Sequence, residues 1–136
     1  MIVLDCSAAI NIALNTETGR VMHNALTQQE RVVAPAFYQV EVANVAWKYA
    51  HSQTLDDNQA NLLRSDALAL VDDFYSIEPL MDEAFGLSLR ADHSIYDLLY
   101  LVLARRNNST LLTADKKLQD LCAAQGVSYF AEINLD

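Results

Sequence analysis

Four carboxylates carry the chemistry open to this sequence: Asp5, Glu41, Asp97 and Asp115. Asp5 ends the apolar run Ile2-Val3-Leu4, and Asp115 follows the run Thr110-Leu111-Leu112-Thr113. Glu41 comes shortly after another apolar run, and Asp97 falls in the first turn of a strongly apolar helical pattern. Each has an ordinary structural explanation. Asp5 and Asp115 suit helix caps, Asp97 lies three residues after Ser94 in the capping-box position, and Glu41 shares a helix face with Lys48. Their joint placement is harder to explain that way, because an open parallel sheet gathers strand ends and the adjoining helix N-termini at the edge where ligands bind.

Bare carboxylates collected there repel, by about 4 kcal/mol for a pair about 4 Å apart at an effective dielectric of about 20. A divalent cation removes that cost. Oxygen donors without His or Cys at ligand spacing favour Mg²⁺ or Mn²⁺ over zinc or copper, and Mg²⁺ keeps waters that a phosphate can displace. Such a site activates water and stabilises the charge that develops as a phosphodiester is cut.

The elements that must position these acids follow from periodicity and punctuation. Residues 2–4 read as a central strand buried on both faces, after which Ser7 caps a helix over 8–14 and a second helix runs over 17–29. Residues 31–34 form a strand stopped by Pro35. Over 36–52, Phe37, Val40, Ala43, Trp47 and Ala50 recur at helical spacing, while Glu41, Asn44 and Lys48 fall on another face. A long helix from 55 to 74 is expected to bury Leu62, Leu63, Ala67, Leu70 and Val71, with a third strand at 75–79 and a helix over 81–90. Ser94 caps a helix over 95–106 that is apolar nearly all round at 98–104, so it belongs deep in the fold. A strand at 110–113, a helix over 115–125 stopped by Gly126, and an edge strand at 128–130 complete the chain. Alternating strands and helices imply an α/β fold: a three-layer α/β/α sandwich around a short, mainly parallel sheet, with residues 1–136 as a single domain.

Composition narrows the function classes. A chain of 136 residues with 52% hydrophobic residues, 3 Gly and 2 Pro has the material for a core and does not read as disordered. Cys6 and Cys122 make no disulfide framework, nothing at the N-terminus reads as a leader, and no run spans a membrane, so the expected location is the cytoplasm. The formal charge of −9 argues against general nucleic-acid binding. An anionic substrate must therefore meet a local patch, for which Arg105-Arg106 and Lys116-Lys117 are the candidates.

Four segments carry a family likeness: Ile2-Val3-Leu4-Asp5-Cys6-Ser7, Glu41-Val42-Ala43-Asn44, Asp97-Leu98-Leu99-Tyr100-Leu101-Val102-Leu103-Ala104, and Leu112-Thr113-Ala114-Asp115-Lys116-Lys117-Leu118. In order and spacing they resemble the PIN-domain superfamily, and within it the VapC-type toxins of bacterial toxin-antitoxin pairs. The resemblance implies a metal-dependent endoribonuclease whose catalytic and metal-binding residues are Asp5, Glu41, Asp97 and Asp115, using Mg²⁺ or Mn²⁺. It also implies that Ser7 and Thr113 support the carboxylates through their hydroxyls, with Asn44 as a common neighbour. A homodimer and a cognate antitoxin, which blocks the acidic site with a basic side chain, belong to the same expectation. Two other readings share the fold: a non-enzymatic RNA-binding or scaffold module, and a DNA-directed nuclease. A haloacid-dehalogenase-like phosphatase would want a second Asp two residues after Asp5, where Ser7 stands.

Overall fold

Among the described residues, five strands of two to four residues make one sheet in which every pairing is parallel. The structure is a computed structural model that describes residues 1–26 and 30–130. The strands are β1 (Ile2–Leu4), β2 (Val32–Pro35), β3 (Asp73–Tyr75), β4 (Thr110–Leu112) and β5 (Tyr129–Phe130), and they lie in the order β3-β2-β1-β4-β5. The all-apolar sequence of β1 is explained by its position: Val3 pairs with Val33 on one side and Leu111 on the other, and Ile2, Val3 and Leu4 are all buried. Strand order reverses direction between β1 and β4, which opens a crevice beyond their carboxyl ends.

Seven α-helices join the strands among the described residues: α1 (Cys6–Ala13), α2 (Glu17–Leu26), α3 (Tyr38–His51), α4 (Asp57–Ala69), α5 (Met81–Ala91), α6 (Ile95–Arg106) and α7 (Lys116–Gln125). Right-handed crossovers moving outward in opposite directions from β1 place α1 to α4 on one face of the sheet and α5 to α7 on the other. The expected three-layer sandwich is therefore present, with a sheet that is wholly parallel. Helix α6 lies against β1, β2 and β4, and residues 98–104 are all buried, as its unbroken apolar sequence requires. Helix α2 crosses close over α1 at Gly19, where a Cβ would stand 2.0 Å from the Asn11 carbonyl oxygen. The far end of the expected helix over 17–29 lies outside the described residues.

Several boundaries differ from the sequence reading. Helix α1 begins at Cys6, and Asp5 rather than Ser7 caps it. Helix α4 ends at Ala69 and β3 occupies 73–75, while Pro79 enters a 3₁₀ turn at Glu78–Leu80. Pairing with β2 decides this: Ala34 stands opposite Phe74, and Asp72 Oδ2 accepts from the Val32 amide at 2.8 Å. Helix α3 is also turned from its expected orientation. Val40 is 70% exposed and Trp47 59%, whereas Tyr38, Val42 and Ala46 face the core. On α4 the inner positions are Ala60, Leu63 and Ala67, and Leu62 is 61% exposed.

Candidate active site

Asp5 leaves β1 with its amide still bonded to the Leu112 carbonyl of β4 at 3.1 Å, so backbone pairing fixes its position before the side chain does anything. Only 5% of the residue is exposed. Its Oδ1 accepts from the Ala8 amide at 2.9 Å and the Ser7 hydroxyl at 2.8 Å, and its Oδ2 accepts from the Thr113 hydroxyl. Both hydroxyls spend their single proton on this carboxylate. They can only accept elsewhere, and they do: Ser7 Oγ from the Ala114 amide and Thr113 Oγ1 from the Asp115 amide, each at 3.0 Å. Buried Gln119 donates to the Thr113 carbonyl at 2.9 Å and so fixes the chain just after β4. Ser7 and Thr113, the two hydroxyls singled out in the sequence, thus both donate to the same carboxylate.

The other three acids come from helices. Glu41 lies in the first turn of α3, and its Oε1 accepts from the Tyr100 hydroxyl of α6 at 2.6 Å. Asp97 lies in the first turn of α6, with its Oδ2 3.9 Å from His93 Nδ1. Asp115 caps α7, accepting from the Lys117 amide at 2.9 Å. Asp115 thus does the capping its position suggested, whereas at α6 the cap is the Ser94 hydroxyl accepting from the Asp97 amide, and the Asp97 carboxylate takes no part in it.

Electrostatics joins the four in a series. Burial pushes Asp5 up from 3.8 to about 7 against the opposing pull of Thr113, Ala8 and Ser7, and the charge of Glu41 raises it further. Glu41 is raised first by burial, is pulled back by the Tyr100 hydrogen bond, and is raised again by Asp97. Asp97 is raised by burial and then by Asp115, with His93 and Lys117 opposing. Among the described residues no Lys or Arg forms an ion pair with any of the four. Carboxylates of which three are raised by burial, and none of which pairs with a Lys or Arg, are the donor chemistry that a hard divalent cation fits. Among the described residues no three Asp, Glu, His or Cys side chains stand close enough together to hold a metal ion by themselves. An ion held here would complete its shell with water and substrate oxygens, as Mg²⁺ ordinarily does.

The expected basic contacts divide. Arg105 and Arg106 pair with Glu83 at 3.2 and 3.8 Å, and Arg106 also donates to the Pro79 carbonyl. Lys116 pairs with Asp120 at 2.8 Å. Lys117 alone of these bases acts electrostatically on one of the four acids, Asp97. Asn44 is exposed on α3, and no hydrogen bond ties it to the acids among the described residues. Sequence reasoning misses Tyr100, which counts there only as part of an apolar run, and His93, which lies outside the segments it singles out. Spacing held the signal for both: Tyr100 is three residues after Asp97 and His93 four before it, so all three share one side of α6 and its approach. Cys6 and Cys122 are buried, with thiols pushed by burial up to about 12, which leaves them unreactive.

A parallel sheet with acids beyond its central strands defines a class of phosphate-chemistry proteins, and comparison with known proteins identifies the family. The PIN-domain family model matches residues 2–124, so the chain belongs to the PIN-domain family. Within it the chain falls among the VapC ribonucleases. It is 32% identical to Ribonuclease VapC12 of Mycobacterium tuberculosis over 99% of this chain and 98% of that one. Three solved structures share the fold. PAE2754 from Pyrobaculum aerophilum has a TM-score of 0.73 at 20% identity, covering 94% of this chain and 82% of that one. Mycobacterium tuberculosis VapC20, a toxin that cleaves the sarcin-ricin loop, has 0.67 at 14%, covering 93% and 96%. VapBC-1 from nontypeable Haemophilus influenzae has 0.62 at 19%, covering 96% and 97%.

Proposed function

We propose that this chain is a metal-dependent endoribonuclease, the toxin of a toxin-antitoxin pair, acting as a single domain through Asp5, Glu41, Asp97 and Asp115. The observation that carries the reading is Asp5: a buried carboxylate with both oxygens held by hydroxyl and amide donors and no basic partner, beside Glu41, which in turn feels Asp97, itself raised by Asp115. The four carboxylates would hold Mg²⁺ or Mn²⁺, and a bound ion of that kind supplies charge to the scissile phosphate and acidifies water. The chain's own part is to hold the ligands. Ser7 and Thr113 keep Asp5 in one rotamer, the α6 N-terminus presents Asp97, and the α7 cap presents Asp115.

RNA is the substrate favoured by the VapC relatives, and Lys117, whose charge acts on Asp97, is the base that would meet its backbone. A partner antitoxin is favoured by likeness to a VapBC protein, and the excess of acid at the site suits a plug carrying Arg. Two free, buried cysteines agree with a reducing cytoplasm, and no described helix is long and apolar enough to cross a membrane.

A homodimer is supported by α5. Met81, Phe85 and Leu89 lie exposed along one side of it, with Asp82 near its start and Arg90 near its end. Two copies of α5 packed antiparallel about Phe85 bury both stripes and bring each Asp82 towards the other copy's Arg90, which is the self-complementarity a two-fold contact needs. Phe85→Glu should then give a monomer by light scattering, and an unchanged mass would remove α5 from the interface.

The test of function is cleavage of total RNA by the purified, antitoxin-free protein with Mg²⁺ or Mn²⁺, beside EDTA and Asp5→Asn controls. Discrete, metal-dependent cuts absent from both controls are expected. Cutting of DNA instead would redirect the substrate, and RNA binding without cutting would make the chain a binding module.

A further inference from the structure

Tyr100 sits in the most deeply packed helix of the protein, only 3% exposed, yet its hydroxyl emerges at the acidic edge and donates to Glu41 Oε1 at 2.6 Å. The ring is held from the side by Phe37, with centroids 5.1 Å apart, and Phe37 in turn packs on Tyr96 at 5.6 Å. Phe37 precedes Glu41 by four residues, so the same stretch supplies the carboxylate and a ring that holds its partner. On the other side, Asp97 and Tyr100 are one helical turn apart on α6. The two helices thus meet through a clasp that joins two of the four acids.

Resting on the nuclease reading above, we infer that Tyr100 is a positioning residue that fixes the Glu41 carboxylate for metal binding. A glutamate has three side-chain torsions, and the first turn of α3 leaves this one reaching across a gap towards α6. With Oε1 committed to the Tyr100 hydroxyl, the carboxylate is held in one orientation, which leaves Oε2 as the oxygen to be offered to an ion. The bond is made to a charged acceptor by a donor that packing has already immobilised, so little further entropy is lost when an ion arrives. Groups that orient a metal ligand in this way typically contribute about tenfold or more to metal affinity.

The test is Mn²⁺ affinity of the metal-stripped, antitoxin-free protein, measured by calorimetry without RNA, for wild type, Tyr100→Phe, Glu41→Gln and the double variant. Tyr100→Phe keeps the ring and its contacts with Phe37, and near-UV circular dichroism checks that it does. About tenfold weaker Mn²⁺ binding is expected for Tyr100→Phe, with no further loss when it is added to Glu41→Gln. The half-saturating Mn²⁺ for RNA cleavage should rise by the same factor. Unchanged affinity, or the same loss in the Glu41→Gln background, overturns the assignment, because Tyr100 would then act only through packing. A wild-type protein that binds Mn²⁺ and cuts RNA, matched in affinity by Tyr100→Phe, sinks this inference alone. One that does neither sinks the nuclease reading with it.

Discussion

The two halves of the acidic site are built differently. On the strand side, Asp5 is buried between β1 and β4 and is held by two hydroxyls and an amide, and the hydroxyls themselves are held by the amides of residues 114 and 115. On the helix side, Glu41, Asp97 and Asp115 are half-buried, and each leans on a single nearby group: Tyr100, His93 and the Lys117 amide. Backbone pairing in a parallel sheet cannot shift without breaking neighbouring bonds, whereas a side chain in the first turn of a helix can swing. The contrast assigns Asp5 the role of a fixed reference, keeps Glu41 oriented only through its bond to Tyr100, and leaves Asp97 and Asp115 as the ligands able to adjust to an ion and a substrate.

The largest effect should come from removing the fixed charge. Asp5→Asn is expected to lower RNA cleavage by about 10²–10³-fold, the scale for losing one preorganised electrostatic group, while the protein stays folded. Asp97→Asn should lose activity on a similar scale, since the Ser94 hydroxyl caps α6 through the backbone amide and does not need the carboxylate. Metal-free stability should separate them. Asp5→Asn relieves a buried charge at neutral pH and should raise the melting temperature more than Asp97→Asn does; equal shifts would break the distinction between the halves.

Dependence on pH sharpens the same point. With Asp5 raised from 3.8 to about 7, the folded state binds its proton more tightly than the unfolded chain. The stability that Asp5 contributes to the metal-free protein is therefore fully present below about pH 4 and is lost as pH rises through about 7, by an amount that the shift bounds at roughly 4 kcal/mol. Glu41 and Asp97 are raised too and contribute in the same direction. Denaturant titrations across this range should show the fall, Asp5→Asn should remove most of it, and saturating Mn²⁺ should oppose it. A rise in metal-free stability with pH would contradict the burial of an unneutralised Asp5.

How much of this was legible in the sequence depended on what fixed each element. Strand β1, Asp5 and the buried helix α6 could be read because unbroken apolar runs admit few alternatives. The orientation of α3 could not. Its periodicity identified a helix, but the arrival of the sheet and α4 decided that Tyr38, Val42 and Ala46 face inward and that Val40 and Trp47 do not. Strand β3 was misplaced for a similar reason: its register comes from β2 and from Asp72 reaching Val32, neither of which is local. Tyr100 was classed correctly as core, but its hydroxyl acts at the far end of a buried ring, and residue type alone does not show where that end emerges.

Hydroxyl support on the strand side predicts an effect of middle size. Thr113→Val keeps the shape but removes the donor to Asp5 Oδ2 and the acceptor for the Asp115 amide, so it should cost about 1–3 kcal/mol in urea unfolding at neutral pH. Thr113→Ser should recover most of that. If valine were as stable as threonine, Asp5 would be solvated in some other way and would not be the fixed member of the set.

The smallest effect belongs to the exposed rim, and it distinguishes the two adjacent lysines. Lys116 is neutralised by Asp120 one turn along α7, while Lys117 directs its charge towards Asp97 and so towards any phosphate bound there. Lys117→Ala should raise the KM for RNA about threefold at low salt and reduce the salt dependence of binding by about one unit of slope, with kcat little changed. Lys116→Ala should do neither. Because both residues are exposed and adjacent, a general loss of positive charge would affect the two variants alike. Only a base facing the acids produces a difference between them, so equal responses would remove Lys117 from the site and leave the substrate backbone to be met by the bound ion.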